Sequence, residues 1–212
     1  MKQVLLPGAS PDPDYGDALD FYETPRWAVE AIVPIVKNRM NHCKAMLIDP
    51  GCGRGNIGRY ARPHLRELVS TAIGIELDQA RADEARALGE FDVVTVGDWC
   101  SWEPQGWLET ILVMGNPPYG SKGHGTETIA LEFVEHAIEI AKPSEGLVAM
   151  LLQLDFAHGV DRCKRIHDKH KSGLYPLRRR PGFGGEYSSG QRPFAWFVWD
   201  LGAPYSDWQP IG

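Results

Sequence analysis

Long hydrophobic runs are missing from this sequence, and none nears the roughly 20 apolar residues that a bilayer crossing requires. The opening Met1-Lys2-Gln3-Val4-Leu5-Leu6-Pro7 is too short in its apolar part for a secretory leader. A soluble, cytoplasmic protein without membrane association is therefore expected. Cysteine is also scarce. Cys43, Cys52, Cys100 and Cys163 are scattered, with no C-x-x-C pair and no histidine at zinc spacing, so reduced, buried or half-buried thiols are expected and no metal site. Positive charge is in deficit: 22 Lys and Arg against 28 Asp and Glu give a net charge of −6. That balance argues against broad, charge-driven nucleic-acid binding, yet it leaves room for a local basic face. No internal repeat or low-complexity tract is found. The oligomeric state is not legible.

What remains is a chain of 212 residues, 43% hydrophobic, enough for one domain with a full core. Residues 1–20 hold three prolines, two glycines and four aspartates without periodicity, and predict a loosely ordered arm ahead of a single domain over 21–212. A helix is expected from Pro25, capped by Thr24, with Trp27, Ala31, Ile32 and Ile35 as its apolar face. Strands are then expected at Lys44 to Asp49, Thr71 to Glu76, Asp92 to Val96, Ile111 to Gly115 and Gly146 to Leu152. They alternate with helices at Ile57 to Val69, Asp78 to Leu88 and Thr126 to Ala141. Continuously apolar strands alternating with helices predict a mostly parallel sheet covered on both faces. Beyond Asp155 the pattern changes to a basic helix at His158 to Lys171 and strands at Leu174 to Phe183 and Phe194 to Asp200.

Ligands in such sheets bind past the carboxyl ends of the strands, and the polar motifs fall there. Gly53-Arg54-Gly55-Asn56-Ile57-Gly58 follows the first strand and matches G-x-G-x-x-G, with Glu76 downstream, so a nicotinamide or flavin enzyme is one reading. Asp49, at the end of that strand, would repel a pyrophosphate but attract the ammonium of a methionine-like group. The backbone N–H groups of the Gly51–Gly55 turn could still receive a carboxylate. Glu76, with Leu77 beside it, could accept from both hydroxyls of a ribose. Asp98 could accept from an adenine amino group, with Trp99 stacked on the ring. The plainer readings are capping carboxylates, a turn aspartate and a packed tryptophan.

Asn116-Pro117-Pro118-Tyr119 follows the fourth strand. An exocyclic aromatic amine is a poor nucleophile because its lone pair is delocalised into the ring. Two acceptors that bind its N–H protons pull the nitrogen towards a pyramid and accommodate the charge that develops on attack. The Asn116 side-chain oxygen and the Pro117 carbonyl can be those acceptors. Two prolines stiffen the loop, and Tyr119 offers a flat face for a stacked base, worth about 1–3 kcal/mol.

Asp49-Pro50-Gly51-Cys52-Gly53-Arg54-Gly55 together with Asn116-Pro117-Pro118-Tyr119 resembles motifs I and IV of the amino-group DNA methyltransferases, the adenine-N6 enzymes in particular. Phe21-Tyr22-Glu23-Thr24-Pro25 is similar to their motif X. Leu177 to Phe183 and Ala195 to Trp199 look like the tail of the small phage and prophage enzymes. The resemblance implies a Rossmann-like class I methyltransferase fold with a seven-stranded sheet, its last strand antiparallel and formed by the Leu174 and Phe194 segments. It implies S-adenosyl-L-methionine as cofactor, held by Tyr22, Thr24, Pro25, Asp49, Gly51, Gly53, Glu76, Leu77, Asp98, Trp99 and Asn116, with Asn116, Pro117, Pro118 and Tyr119 catalytic. It places the protein in a bacterial or phage-infected cell. One departure is the lack of room for a large target-recognition domain, which leaves 157–190 as a small insert for that purpose.

Arg162, Lys164, Arg165, Lys169, Lys171, Arg178, Arg179 and Arg180 concentrate positive charge in that region. They suggest a phosphate-binding face, centred for the substrate on Arg178, Arg179 and Arg180 and on Tyr119, with Tyr175, Phe183 and Tyr187 as stacking partners. A solvated helix face is the plain alternative, and metal binding by the nearby histidines is not expected. Nucleic acid, DNA above all, is the expected partner. The same loop could instead serve an RNA base or a protein glutamine amide.

Overall fold

The computed structural model describes residues 23–40, 43–104, 109–119, 129–182 and 192–212. Its frame is set by four apolar segments with nowhere to go but the interior. β1 (Ala45–Pro50), β4 (Thr110–Gly115) and β5 (Leu147–Gln153) are buried almost end to end. β2 (Val69–Glu76) joins them at five of its last residues. Strands covered on both faces need no polar alternation, hence the unbroken apolar runs. β2 pairs with β1 and with β3 (Val93–Val96), β1 with β4 and β4 with β5, all parallel.

The far half of the sheet reverses. β7 (Phe194–Asp200) pairs antiparallel with β5 over seven residues and antiparallel with β6 (Gly173–Pro176), so β6 runs in the direction of β5. A two-residue β8 (Asp207–Trp208) then adds to β6 in parallel. The sheet has eight strands in the order β3-β2-β1-β4-β5-β7-β6-β8. β8 is the one the seven-strand expectation omits. Two residues carry too little pattern to be read, and β8 is held by backbone pairing and by an Asp207 carboxylate that accepts from Tyr175.

Helices cover both faces. α1 (Arg26–Met40), α2 (Asn56–Leu65) and α3 (Gln79–Leu88) share one core with Leu47, Leu112, Leu151 and Trp196. α4 (Ile129–Ala141) packs on the other face with Ile48, Val113, Met150 and Phe197. The buried stripe of α1 is Ala28, Val29, Ile32, Val33, Val36 and Met40, so of the expected face only Ile32 lies at its centre. Trp27, Ala31 and Ile35 sit on its flank, and the chain's last residues pack there. α2 stops at Leu65, short of the expected Val69, which opens β2. α3 agrees with its sequence signals: the Asp78 carboxylate accepts from the Arg81 N–H at 2.9 Å, and Gly89 closes the helix in the left-handed region. Residues 126–128 of the expected fourth helix lie outside the described residues.

The basic helix expected at His158 to Lys171 is not one α-helix. It is a three-residue α5 (Val160–Arg162) that widens into a π-turn at Cys163–His167. The expected strand from Leu174 ends at Pro176, although the Leu177 N–H still donates to the Phe194 carbonyl at 2.9 Å. Leu177 keeps a single bridge to Ile211.

Candidate active site

β1 is flanked by β2 on one side and β4 on the other, so the strand order reverses around it and a crevice opens past Pro50 and Gly115. The two chains approach closely there. A methyl group on Gly115 would lie 2.9 Å from Pro50 Cγ and 3.1 Å from Met150 Sδ. The turn that leaves β1 has Gly51, Gly53 and Gly55 at φ of 66°, 54° and 90°, values that a side chain resists. Gly55 precedes α2 without a side-chain cap, so no side chain of that residue occupies the first N–H groups of the helix.

Two carboxylates organise this turn in different ways. Glu76, at the end of β2, accepts from the Gly53 N–H at 2.8 Å and from the Asp78 N–H at 2.9 Å, one on each oxygen. Each oxygen keeps a second lone pair for a ligand hydroxyl. Leu77 next to it is 61% exposed. Asp49 is 1% exposed, and neither of its oxygens has a hydrogen-bond partner among the described residues. Burial, and secondarily the Glu76 charge, push its carboxyl well above the usual carboxylate range. A buried carboxylate with no donor is costly unless something cationic meets it. Cys52 lies between these groups and is buried, and its thiol is pushed up by burial and by both carboxylates, which leaves it unreactive. All four cysteines are free, and Cys43 is exposed where burial was expected.

Past β3, the Asp98 carboxylate accepts from the Cys100 N–H at 3.1 Å and caps a 3₁₀ turn, while the residue stays exposed. Trp99 corrects an expectation. It is 2% exposed, stacks on Trp102, meets His136 edge-on and donates to the Phe133 carbonyl, so its faces belong to the core and not to a ligand.

Asn116 leaves β4 at the edge of the crevice, and its amide is held at both ends. Its Nδ2 donates to Thr24 Oγ1 at 3.0 Å, and the Tyr119 hydroxyl bridges its Oδ1 and the Leu151 carbonyl, 2.9 Å from the latter. Thr24 is 3% exposed, and its carbonyl accepts from Asn56 Nδ2 at 3.2 Å. Pro117 is buried and Pro118 half-buried. The Tyr119 ring meets Phe194 edge-to-face, with centroids 5.4 Å apart. Pro25 lies beside Thr24 at the start of α1, where its carbonyl accepts from Ala28 and Val29. Tyr22 lies outside the described residues.

Sequence reading overlooked Asn56 and Phe194. Asn56 is hidden inside the glycine motif. Phe194 reaches Tyr119 only because β7 runs antiparallel to β5 and brings its first residue beside Gln153 at the ligand edge. The same topology governs the basic segment. β6 runs with β5, so Arg178, Arg179 and Arg180 leave the sheet at the edge that carries Asn116. All three are exposed, and the Arg179 guanidinium lies 4.4 Å over the Trp27 ring. Arg165 pairs instead with Glu135 of α4. Tyr175 is 1% exposed and bonded to Tyr205 and Asp207, so it is a core residue and no stacking partner. Phe183 and Tyr187 lie outside the described residues.

No family model matches the sequence, and no curated protein does. Solved structures match the fold. A Listeria monocytogenes protein assigned as a class I S-adenosylmethionine-dependent methyltransferase superposes with a TM-score of 0.70 at 14% identity, over 93% of this chain and 68% of its own. A Pyrococcus horikoshii protein assigned as an RNA methyltransferase gives 0.62 at 19%, over 86% and 87%. The methyltransferase subunit of a Streptococcus thermophilus type I restriction-modification system gives 0.63 at 18%, over 88% of this chain but 46% of its own. This chain thus spans less than half of that subunit. Its architecture is that of the class I methyltransferases, a Rossmann-like sheet with helices on both faces.

Proposed function

We propose that this protein transfers a methyl group from S-adenosyl-L-methionine to an exocyclic amino nitrogen, and that the acceptor is N6 of adenine in DNA. The observation that carries the proposal is the buried Asp49 carboxylate, without a hydrogen-bond partner among the described residues, on the strand next to the one that Asn116 follows. The chain's groups fit the cofactor. Asp49 suits its ammonium group, the N-terminal end of α2, which no side chain caps, suits its carboxylate, Glu76 suits its ribose hydroxyls and the exposed Leu77 suits one face of its purine. A dinucleotide would bring a pyrophosphate past Asp49, a buried carboxylate with nothing to neutralise it, and this weighs against the oxidoreductase reading.

When bound, the cofactor supplies an electrophilic methyl group on a sulfonium sulfur. The chain's part is to prepare the amine. Asn116 Oδ1 and the Pro117 carbonyl accept its two N–H bonds, which localises the lone pair on nitrogen. With the cofactor bound, the methyl group would pass to this nitrogen as its bond to sulfur breaks with the electron pair left on sulfur, and the ammonium so formed would release its proton to water. No ionised base is needed. The Tyr119 hydroxyl, which sits on Asn116 Oδ1, marks where a donor enters. Tyr119, packed edge-to-face on Phe194, is the ring proposed to stack on a flipped base.

DNA is favoured over a protein amide by Arg178, Arg179 and Arg180 at the same sheet edge, which suit backbone phosphates. The likeness to a restriction-modification methyltransferase subunit supports the same choice. The test is incubation with labelled S-adenosylmethionine and separate pools of DNA, RNA and protein. Label is expected in DNA, with turnover that falls steeply as salt rises. Label in protein alone, or salt-insensitive turnover, would refute the DNA reading.

A further inference from the structure

We infer that Trp27 is a positioning residue for the substrate: its ring holds the Arg179 guanidinium in place as the anchor for a backbone phosphate of the strand that carries the acceptor base. The inference rests on the reading of DNA as substrate, and it sets one arginine apart from its two neighbours. A flexible surface arginine that meets a phosphate loses rotamer freedom, and that loss is subtracted from the contact. An arginine already fixed in the free protein avoids the loss, provided that what fixes it does not also cancel its charge. Arg26, Arg62, Arg86 and Arg165 do not meet that condition, since each is held against a carboxylate, of Glu30, Asp92, Asp83 and Glu135 in turn.

Arg179 is held differently. Its guanidinium carbon lies 4.4 Å from the centroid of the Trp27 ring, a neutral face that attracts the cation without neutralising it. Among the described residues no oxygen takes its N–H groups, and the side chain is exposed. Arg178 and Arg180 are exposed too, with no ring beneath them among the described residues. The Trp27 ring is itself fixed, because it is half-buried in the first turn of α1 and packs against the core that this helix shares with the sheet. Both segments that supply the pair come from the acceptor site. Thr24, three residues before Trp27, has its Oγ1 3.0 Å from Asn116 Nδ2. Leu177, two residues before Arg179, donates its N–H at 2.9 Å to the carbonyl of Phe194, whose ring meets Tyr119. A chain with a net charge of −6 has no general attraction for DNA, so a fixed and un-neutralised cation at this rim is the kind of contact that seats the strand.

The test measures DNA binding by fluorescence anisotropy across salt, beside cofactor calorimetry and steady-state methyl transfer. The variants are Arg179→Ala, Arg178→Ala, Arg180→Ala, Trp27→Leu, Trp27→Phe, and Trp27→Leu combined with Arg179→Ala. Arg179→Ala is expected to weaken DNA binding about tenfold, at least about threefold more than either neighbour, and to lower the salt slope by about one unit. Trp27→Leu should weaken it about two- to fivefold, and Trp27→Phe, which keeps a ring face, should stay within about twofold of wild type. With Arg179→Ala in place, Trp27→Leu is expected to cost nothing further, since the group it positions is gone. KM for DNA should rise in step with these losses, while kcat and the cofactor dissociation constant stay within about twofold. The three arginine variants are surface changes, so their comparison stands even if Trp27→Leu does not fold. Equal losses from the three arginines overturn the inference. So does a Trp27→Leu loss that persists in the Arg179→Ala background, or a fall in kcat or cofactor affinity in place of the rise in KM. Absence of DNA binding by the wild-type protein would overturn the DNA reading and this inference together, whereas wild-type methylation of DNA with Arg179→Ala unaffected overturns the inference alone.

Discussion

Replacing Asp49 by asparagine should separate stability from function in opposite directions. The Asp49 carboxylate is 1% exposed and accepts no hydrogen bond from the described residues, and burial followed by the Glu76 charge raises its folded pKa well above the ordinary 3.8. A raised folded pKa means that folding favours the neutral acid. The associated stability is fully present below the unfolded pKa and is lost as pH rises from there through the folded value. Asparagine cannot ionise and has no such loss. Its amide is as unpartnered as the acid, so the expected gain of Asp49→Asn is the ionisation part alone, absent at low pH and growing as pH rises from the unfolded towards the folded pKa. For a chain of this size each kcal/mol raises Tm by about 2–4 °C. Cofactor affinity should move the other way. Removing one member of a buried ion pair costs about 3–5 kcal/mol, or roughly two to three and a half orders of magnitude in dissociation constant. Thermal denaturation across pH, alongside calorimetry with S-adenosylmethionine, reads both quantities. Wild-type affinity should rise with pH as Asp49 ionises, and the variant's should be flat and weak. A variant that is less stable at every pH, or that binds the cofactor as wild type does, would refute the reasoning.

Other outcomes follow from the same geometry. Asn116→Ala should leave cofactor affinity nearly intact and cut turnover by about two or more orders of magnitude, because its acceptor acts mainly in the transition state. Equal losses in calorimetry and in single-turnover rates would mark the loop as merely structural. Replacing Arg178, Arg179 and Arg180 by alanine should weaken DNA binding regardless of sequence and reduce the salt slope by about one unit for each phosphate contact removed, measured by fluorescence anisotropy against salt. Gly115→Ala would set a methyl group 2.9 Å from Pro50 Cγ and 3.1 Å from Met150 Sδ, so a loss of about 1–3 kcal/mol in denaturant unfolding is expected. An unchanged midpoint would show that the crevice floor yields more than its packing suggests.

The parallel half of the sheet is legible in the sequence because β1, β4 and β5 are covered on both faces, and hydrophobicity alone marks such strands. Their carboxyl ends carry Asp49, Glu76 and Asn116, so the crevice could be located from motif spacing. What the sequence hides is long-range partnership. Nothing local announces that Asn116 meets Thr24 or that Tyr119 meets Phe194, since each contact depends on strand order and on the antiparallel entry of β7. Aromatic residues mislead in the same way. Trp99 and Tyr175 carry the composition of stacking surfaces, yet the core takes both, because a buried ring with its polar atom bonded satisfies the interior equally well. The π-turn at Cys163–His167 is missed for a related reason. Its basic residues have helical composition, and the wider turn is fixed by tertiary ties such as Arg165 to Glu135.

The most direct test of the central claim is nucleoside mass spectrometry of DNA incubated with the protein and S-adenosylmethionine, beside an Asn116→Ala control. The account predicts N6-methyladenine in the wild-type digest and at least a hundredfold less, roughly, in the control. Methyl groups on ring carbon, or no methylated nucleoside from DNA while another acceptor is modified at the same rate in both proteins, would contradict it.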